Sequence, residues 1–337
     1  MKRGILAGII CLVMGFAFVT TSENAFAEDT VTDPYEIIFI TKAEGVTWFD
    51  MMKEGVAQFN EEHTDAVCTQ ISPDSVDAAK QSALVEDYIA QGVDAICVVP
   101  IDQSALEPVI EKAKEAGILF VTHEGESLAG KADWDFEACR NEVMGQTMAE
   151  QLATAMGGKG KYCTIVGGLT METHMIWIDS AVAYLKENYP DMELVNEVPY
   201  EDGDDVTAGY NLAKEICKTY PDLGGVISAT MESGMGWGMY LQETENNAIE
   251  VVGLGIPSAH AEYLKAGYLY SVMCGDPRVT GYVIPEFTYR VLRGDTIETG
   301  MNLEREDYEN MTVEENGIVK GDSIVIFTAE NCDQYPF

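Results

Sequence analysis

Basic residues are scarce in this chain of 337 residues: 20 Lys and Arg stand against 57 Asp and Glu, a formal charge of −37. Phosphate recognition is largely a Lys/Arg electrostatic effect, so nucleic acid is excluded as a partner and docking on anionic lipid is disfavoured. Histidine is scarcer still, with four residues (His63, His123, His174 and His260) and no HExxH spacing to hold zinc. No GxxxxGKS/T loop or GxSxG elbow occurs. The run Gly234-Met235-Gly236-Trp237-Gly238 lacks GxGxxG spacing and reads as a helix start packed closely on a sheet. The cysteines contain no CxxC pair, which gives neither a disulfide framework nor a zinc site. Several stand in strand-like runs, such as Ala95-Ile96-Cys97-Val98-Val99, and read as buried free thiols. Carboxylates are so abundant that any two can be imagined as acid and base, so their pairing assigns no catalytic residue. The expectation is a non-enzyme with no cofactor and no metal.

Apolar residues are plentiful by contrast. They make up 47% of the chain, with 16 Tyr, 11 Phe and 4 Trp, which is enough to fill large cores and to exclude disorder over most of the length. The length suits about two domains. At the start, Lys2-Arg3, an apolar run from Ile5 to Val19 and the small-x-small site Ala25-Phe26-Ala27 predict a secretory leader over residues 1–27, cleaved after Ala27. The run is shorter than the ~20 residues that span a bilayer. The mature chain is then expected outside the cytoplasm, in the periplasm or at the cell surface, with a charge of 18 − 56 = −38.

Short β-branched runs alternate with helical patterns. Ile37–Ile40 precedes a helix from Trp48 to Glu62, where Phe49, Met52, Val56 and Phe59 recur at three- and four-residue steps. Strands are predicted over 66–71, 95–99 and 118–122, with helices over 77–91 and 104–116 between them. After a polar stretch, 124–135, the alternation restarts with helices over 139–156, 175–189, 206–219 and 257–266. Its strands are predicted over 161–166, 193–199, 225–228, 250–253 and 270–273. This is an α/β chain with parallel sheets covered by helices. The two halves match at an offset of 126: Gly55-Val56-Ala57-Gln58-Phe59 faces Ala181-Val182-Ala183-Tyr184-Leu185, and Ile37–Ile40 faces Cys163–Val166. Two similar lobes imply a cleft lined by loops beyond the carboxyl ends of strands, those after Ile40, Val99, Thr122, Val166, Ser228 and Gly253.

Those loops hold the side chains a binding site needs, polar groups with directed hydrogen bonds and aromatic faces. Lys42 and the pair Trp48-Phe49 follow the first strand. At the fixed offset Trp48 corresponds to His174, with Trp177 one helical turn on. Glu124 follows the fourth strand, where its carboxylate can accept from two adjacent hydroxyls. Thr230 and Met231, with Glu232 next, follow Gly225–Ser228. Asp276, before Pro277, stands near an expected chain crossing.

At these residues the sequence resembles the type I solute-binding proteins of ABC sugar importers, the ribose-binding-like group. The marks are Trp48-Phe49 before Lys53-Glu54-Gly55, Gly92-Val93-Asp94-Ala95-Ile96 leading to a strand, and Ala116-Gly117-Ile118 leading to Phe120-Val121-Thr122. Within that family Lys42, Trp177 and the tail from Asn316-Gly317-Ile318-Val319 through Val325-Ile326-Phe327 to Tyr335-Pro336-Phe337 are similar to the rhamnose and autoinducer-2 binding group. The resemblance implies a periplasmic binding protein with three crossovers and a closing hinge. It also implies a small sugar-like ligand, an ABC permease as membrane partner, and a monomer. The expected lobes are 28–137 with 277–301, and 138–276 with 302–337. The chain departs from autoinducer-2 binders, which usually have Asp at the place of Glu124, Asp-Gln at that of Thr173-His174, and Pro and Ala around Ala229 and Met231. That ranks a pentose, deoxyhexose or polyol ahead of autoinducer-2. A sensor partner for a receptor kinase or chemoreceptor, and a secreted sugar-acting enzyme, are the rival readings.

Overall fold

In the computed structural model, which describes residues 33–335 and 337, the run Tyr35–Ile40 forms strand β1, whose last four residues are all buried. A strand buried on both faces belongs to a parallel sheet with helices on each side. The following elements supply them: α1 (Thr47–Glu62), β2 (Ala66–Ile71), α2 (Ala78–Gln91), β3 (Ala95–Val98), α3 (Gln103–Glu115), β4 (Leu119–His123) and β5 (Trp134–Glu137). A second series runs through α4 (Asn141–Met156), β6 (Gly160–Val166), α5 (Glu172–Asn188), β7 (Met192–Leu194), β8 (Tyr200–Glu201), α6 (Val206–Thr219) and β9 (Leu223–Ser228). It continues with α7 (Met231–Glu243), β10 (Glu250–Leu254), α8 (Pro257–Ala266) and β11 (Ser271–Cys274). The chain ends on α9 (Pro277–Leu292), β12 (Thr312–Val313), β13 (Ile318–Lys320) and β14 (Val325–Phe327). Part of the acidity is local: Asp77, Asp102 and Asp205 cap α2, α3 and α6 through backbone N–H groups that a helix start leaves unpaired.

The first sheet runs β2-β1-β3-β4-β5-β13-β12 and the second β7-β6-β9-β10-β11-β14, with β8 also on β6. Both therefore reverse direction after their first strand, between β1 and β3 and between β6 and β9. The offset of 126 carries over to the elements. Shifting β1, α1 and the start of β2 gives 161–166, 173–188 and 192, and the second lobe has β6 at 160–166, α5 at 172–188 and β7 from 192. Two apolar clusters cover each sheet, one per face. Of the seven described cysteines, all free, six are buried in or beside these layers.

Three stretches differ from expectation. The polar stretch ends in a true strand, β5, because its carboxylates are bonded inward. Asp135 accepts from the Thr122 hydroxyl at 2.6 Å and the Gly125 N–H at 3.1 Å, and Glu137 accepts from Asn141 at 3.0 Å. The strand expected over 193–199 breaks into β7 and β8. There the Asn196 side chain replaces the ladder, accepting from the Thr164 N–H at 3.1 Å and donating to its carbonyl at 3.0 Å. Third, residues 302–320, expected in the second lobe, belong with the first. Leu303, Tyr308 and Met311 fill its core, and β13 pairs in parallel with β5, covering an edge that would otherwise expose unpaired backbone groups. The chain thus passes between sheets at 138–140, 275–276 and 321–324. No helix among the described residues is long and apolar enough to cross a membrane. The leader expected over 1–27 lies outside the described residues.

Candidate functional site

The carboxyl ends of both sheets face one cavity, which encloses about 740 Å³ with the solvent at its mouth included. Eight of the nine residues singled out from sequence line it: Lys42, Trp48, Phe49, Glu124, His174, Trp177, Thr230 and Met231. The ninth, Asp276, stands outside the lining. Its carboxylate caps α9 through the Arg278 N–H at 2.9 Å and pairs with the Arg278 guanidinium at 2.6 Å, so its oxygens are already used. The loop after Val99 is absent from the lining as well. Buried Gln81 donates to the carbonyls of Thr41 and Val99 and accepts from the Ile101 N–H, which spends that loop's backbone groups on the lobe itself.

From the first lobe, Lys42 follows β1 and Glu124 follows β4. They form a buried ion pair, Nζ to Oε2 at 2.8 Å. Glu124 holds a left-handed backbone, φ 63°, and Asp204 of the second lobe another, φ 54°. Non-glycine residues in that region carry strain that tends to collect at functional sites. Burial works to raise the Glu124 carboxyl, but the Lys42 ammonium, foremost among its neighbours, holds it at about 2. Burial likewise works against the Lys42 charge, and Glu124 and Asp204 outweigh it, so its pKa lies above the usual value.

From the second lobe, His174 and Trp177 rise on the first turns of α5 with rings stacked 5.7 Å apart. Burial, then the Lys42 charge, push His174 down to about 3. Its Nδ1 accepts from the Gly167 N–H at 3.2 Å, so the neutral ring carries its proton on Nε2 as a donor. The Trp177 indole donates to Asn141 Oδ1 at 2.7 Å. Sequence reading passed over Asn141 and Glu137, which flank the first crossover, and Asp204. The signal for Asp204 was the run Asp202-Gly203-Asp204-Asp205, whose outer members are committed: Asp202 accepts from the Thr230 hydroxyl and Asp205 caps α6.

The lobes also meet away from the crossovers. The Ser127 N–H donates to Glu172 at 3.0 Å, the Thr170 hydroxyl to the Ile101 carbonyl at 3.4 Å, and Trp48 packs against the cores of both lobes.

Several lining carboxyls are held protonated more than usual. Burial, then the Asp204 charge, raises Glu232 to about 8, and burial raises Asp204 to about 6. Burial raises Glu137 and Asp135, and the Asp135 charge raises Glu137 further. A carboxyl whose folded pKa exceeds its unfolded value stabilises the fold fully below the unfolded pKa, about 4, and loses that contribution as pH rises through the folded one. Buried His123, His174 and His260, held low, act in the opposite sense up to about pH 6.5, so the ligand-free protein is expected to lose stability as pH rises from about 6.5 toward 8.5, in urea melts at constant ionic strength. Glu124, held low, acts in the opposite sense only below about pH 4.5. Glu232→Gln is expected to flatten the slope between about pH 6 and 8; an unchanged slope would remove Glu232 from the account.

The model of the periplasmic binding protein domain matches residues 37–296. The xylitol-binding protein of Mycolicibacterium smegmatis is 28% identical over 229 residues, 64% of this chain and 62% of its own length, so the match spans less than two thirds of that relative. The ribose import binding protein RbsB of Bacillus subtilis is 24% identical over 66% of this chain and 70% of its own. Among solved structures, LsrB from Clostridium saccharobutylicum in complex with AI-2 superposes with a TM-score of 0.81 at 19% identity, over 90% of this chain and 100% of that one. An ABC transporter solute-binding protein from Clostridium phytofermentas with bound L-rhamnose gives 0.81 at 19%, over 90% and 98%. At such identities the superpositions speak for the fold, and the family match covers most of the chain. The chain belongs to the periplasmic binding protein domain family, with the type I architecture of its sugar-binding members.

Proposed function

We propose that the protein captures a small polyhydroxylated ligand, a sugar or polyol, in the cleft and delivers it to an ABC permease. The observation that carries this reading is the lining itself. It combines two indole-bearing walls, the Lys42–Glu124 pair, and buried oxygens on Thr173 and Glu137 that have no hydrogen-bond partner among the described residues. Buried polar atoms without partners are costly, and a ligand bringing hydroxyls to them relieves that cost. Trp48 and Trp177 offer apolar faces of the kind that cover the C–H surface of a sugar ring. Binding consists of closure and desolvation, and release of reopening, with no covalent step.

A thermal-shift screen of pentoses, deoxyhexoses, hexoses, polyols and autoinducer-2 tests it. A ligand at 100 times its Kd stabilises the fold by about 2.7 kcal/mol, enough to raise Tm by several degrees. No shift with any polyhydroxylated compound would overturn the reading.

A further inference from the structure

The cavity is unusually rich in acceptors. Four carboxylates line it, Glu124, Glu137, Asp204 and Glu232, while Lys42 is the one Lys or Arg among the lining residues. Glu124 is balanced by Lys42, which engages Oε2. The other three have no salt bridge among the described residues. Glu232 is 8% exposed and its carboxylate takes part in no side-chain hydrogen bond there, and Glu137, 1% exposed, leaves Oε1 without a partner. The lining histidines add no positive charge. His123 donates from Nδ1 to the Phe136 carbonyl at 2.7 Å, which turns Nε2 into another acceptor. Two donors are committed, the Asn141 amide to Glu126 and Glu137 and the Trp177 N–H to Asn141, while the His174 Nε2–H and the Thr173 hydroxyl stay available to ligand hydroxyls.

A sugar hydroxyl brings one donor together with two lone pairs, which suits a wall of mixed character. An ammonium brings three donors, no acceptor and a positive charge. Resting on the reading that the cleft holds a polyol, we propose that its ligand carries a protonated amine seated against Asp204 and Glu232: an amino sugar or amino polyol. Hydroxyls of a neutral polyol can donate to these carboxylates but bring no counter-charge, whereas an ammonium both donates to them and balances their charge in a buried site. Glu124 and Lys42 remain for the hydroxyls.

Calorimetry on the mature chain at pH 7 decides it, with D-glucosamine, D-galactosamine and 1-amino-1-deoxy-D-sorbitol each set against its hydroxyl isostere, and N-acetyl-D-glucosamine as an uncharged amide. At least one amine is expected to bind ten times more tightly than its isostere. Glu232→Gln and Asp204→Asn are each expected to narrow that ratio. If the neutral isosteres bind as well as the amines in every pair, the inference fails and the cleft reading stands. If neither kind binds, both fail. The wild-type ratio suffices even if a variant does not fold.

Discussion

Lys42→Met is expected to abolish detectable ligand binding and to lower the unfolding free energy of the ligand-free protein by about 3–5 kcal/mol. Lys42 and Glu124 are both nearly withdrawn from solvent, with side-chain exposures of 6% and 15%, at 2.8 Å. Removing one member of such a pair leaves the other buried without compensation. The charge that holds Glu124 near 2 would also be gone, so burial would drive that carboxyl upward, and protonation would soften the loss at low pH. The double variant Lys42→Met/Glu124→Gln is expected to recover most of the stability and none of the binding. Urea melts of the wild type, Lys42→Met, Glu124→Gln and the double variant give the coupling directly. Equal stability of Lys42→Met and wild type would mean that the pair is not formed in solution.

The second large effect is one of helix packing. Helices α1 and α9 cross with glycines at the contact. A Cβ on Gly281 would sit 2.7 Å from the Met52 Cα and closer still to its carbonyl, and one on Gly55 would collide with the Arg278 carbonyl. Alanine is favoured over glycine by about 1 kcal/mol in a helix interior, yet here the obstacle is backbone on a neighbouring helix, which cannot rotate away. Gly281→Val is therefore expected to cost about 3 kcal/mol or more, measured by urea denaturation, or to prevent recovery of folded protein. A loss below about 1 kcal/mol would show that the helices separate readily. Because α1 carries Trp48 and Phe49 into the cavity, such separation would also loosen the site.

Much of this fold was legible in the sequence because its strands are apolar and its helices periodic. The helix expected over 175–189 lies within three residues of α5, and the offset of 126 paired Trp48 with His174, both of which line the cavity. What stayed hidden has physical reasons. β5 carries Asp135 and Glu137 inward, and a strand with buried carboxylates reads as a polar loop until its partners, Thr122 and Asn141, are known. Asn141 and Glu137 reach the cavity only through the first crossover. Asp276 read as a ligand group because Asp before Pro at a crossing is compatible with both roles; the nearby guanidinium of Arg278 decided for the cap. Residues 302–320 were assigned to the wrong lobe because the short strands β12 and β13 are defined by the edge they cover rather than by a pattern of their own, while β14 lies in the second lobe as expected.

The central claim is that the cleft between the lobes, at Glu124 and Trp48, is where the ligand binds. The most direct test is calorimetric titration of Glu124→Ala and Trp48→Ala, each shown to be folded, with the ligand that most stabilises the wild type. Losing a charge-assisted bond or an aromatic face at a buried site is worth about 1.5–3 kcal/mol, so each variant is expected to weaken binding by roughly tenfold to more than a hundredfold. Unchanged affinity in both variants would contradict the assignment and move the site elsewhere on the protein.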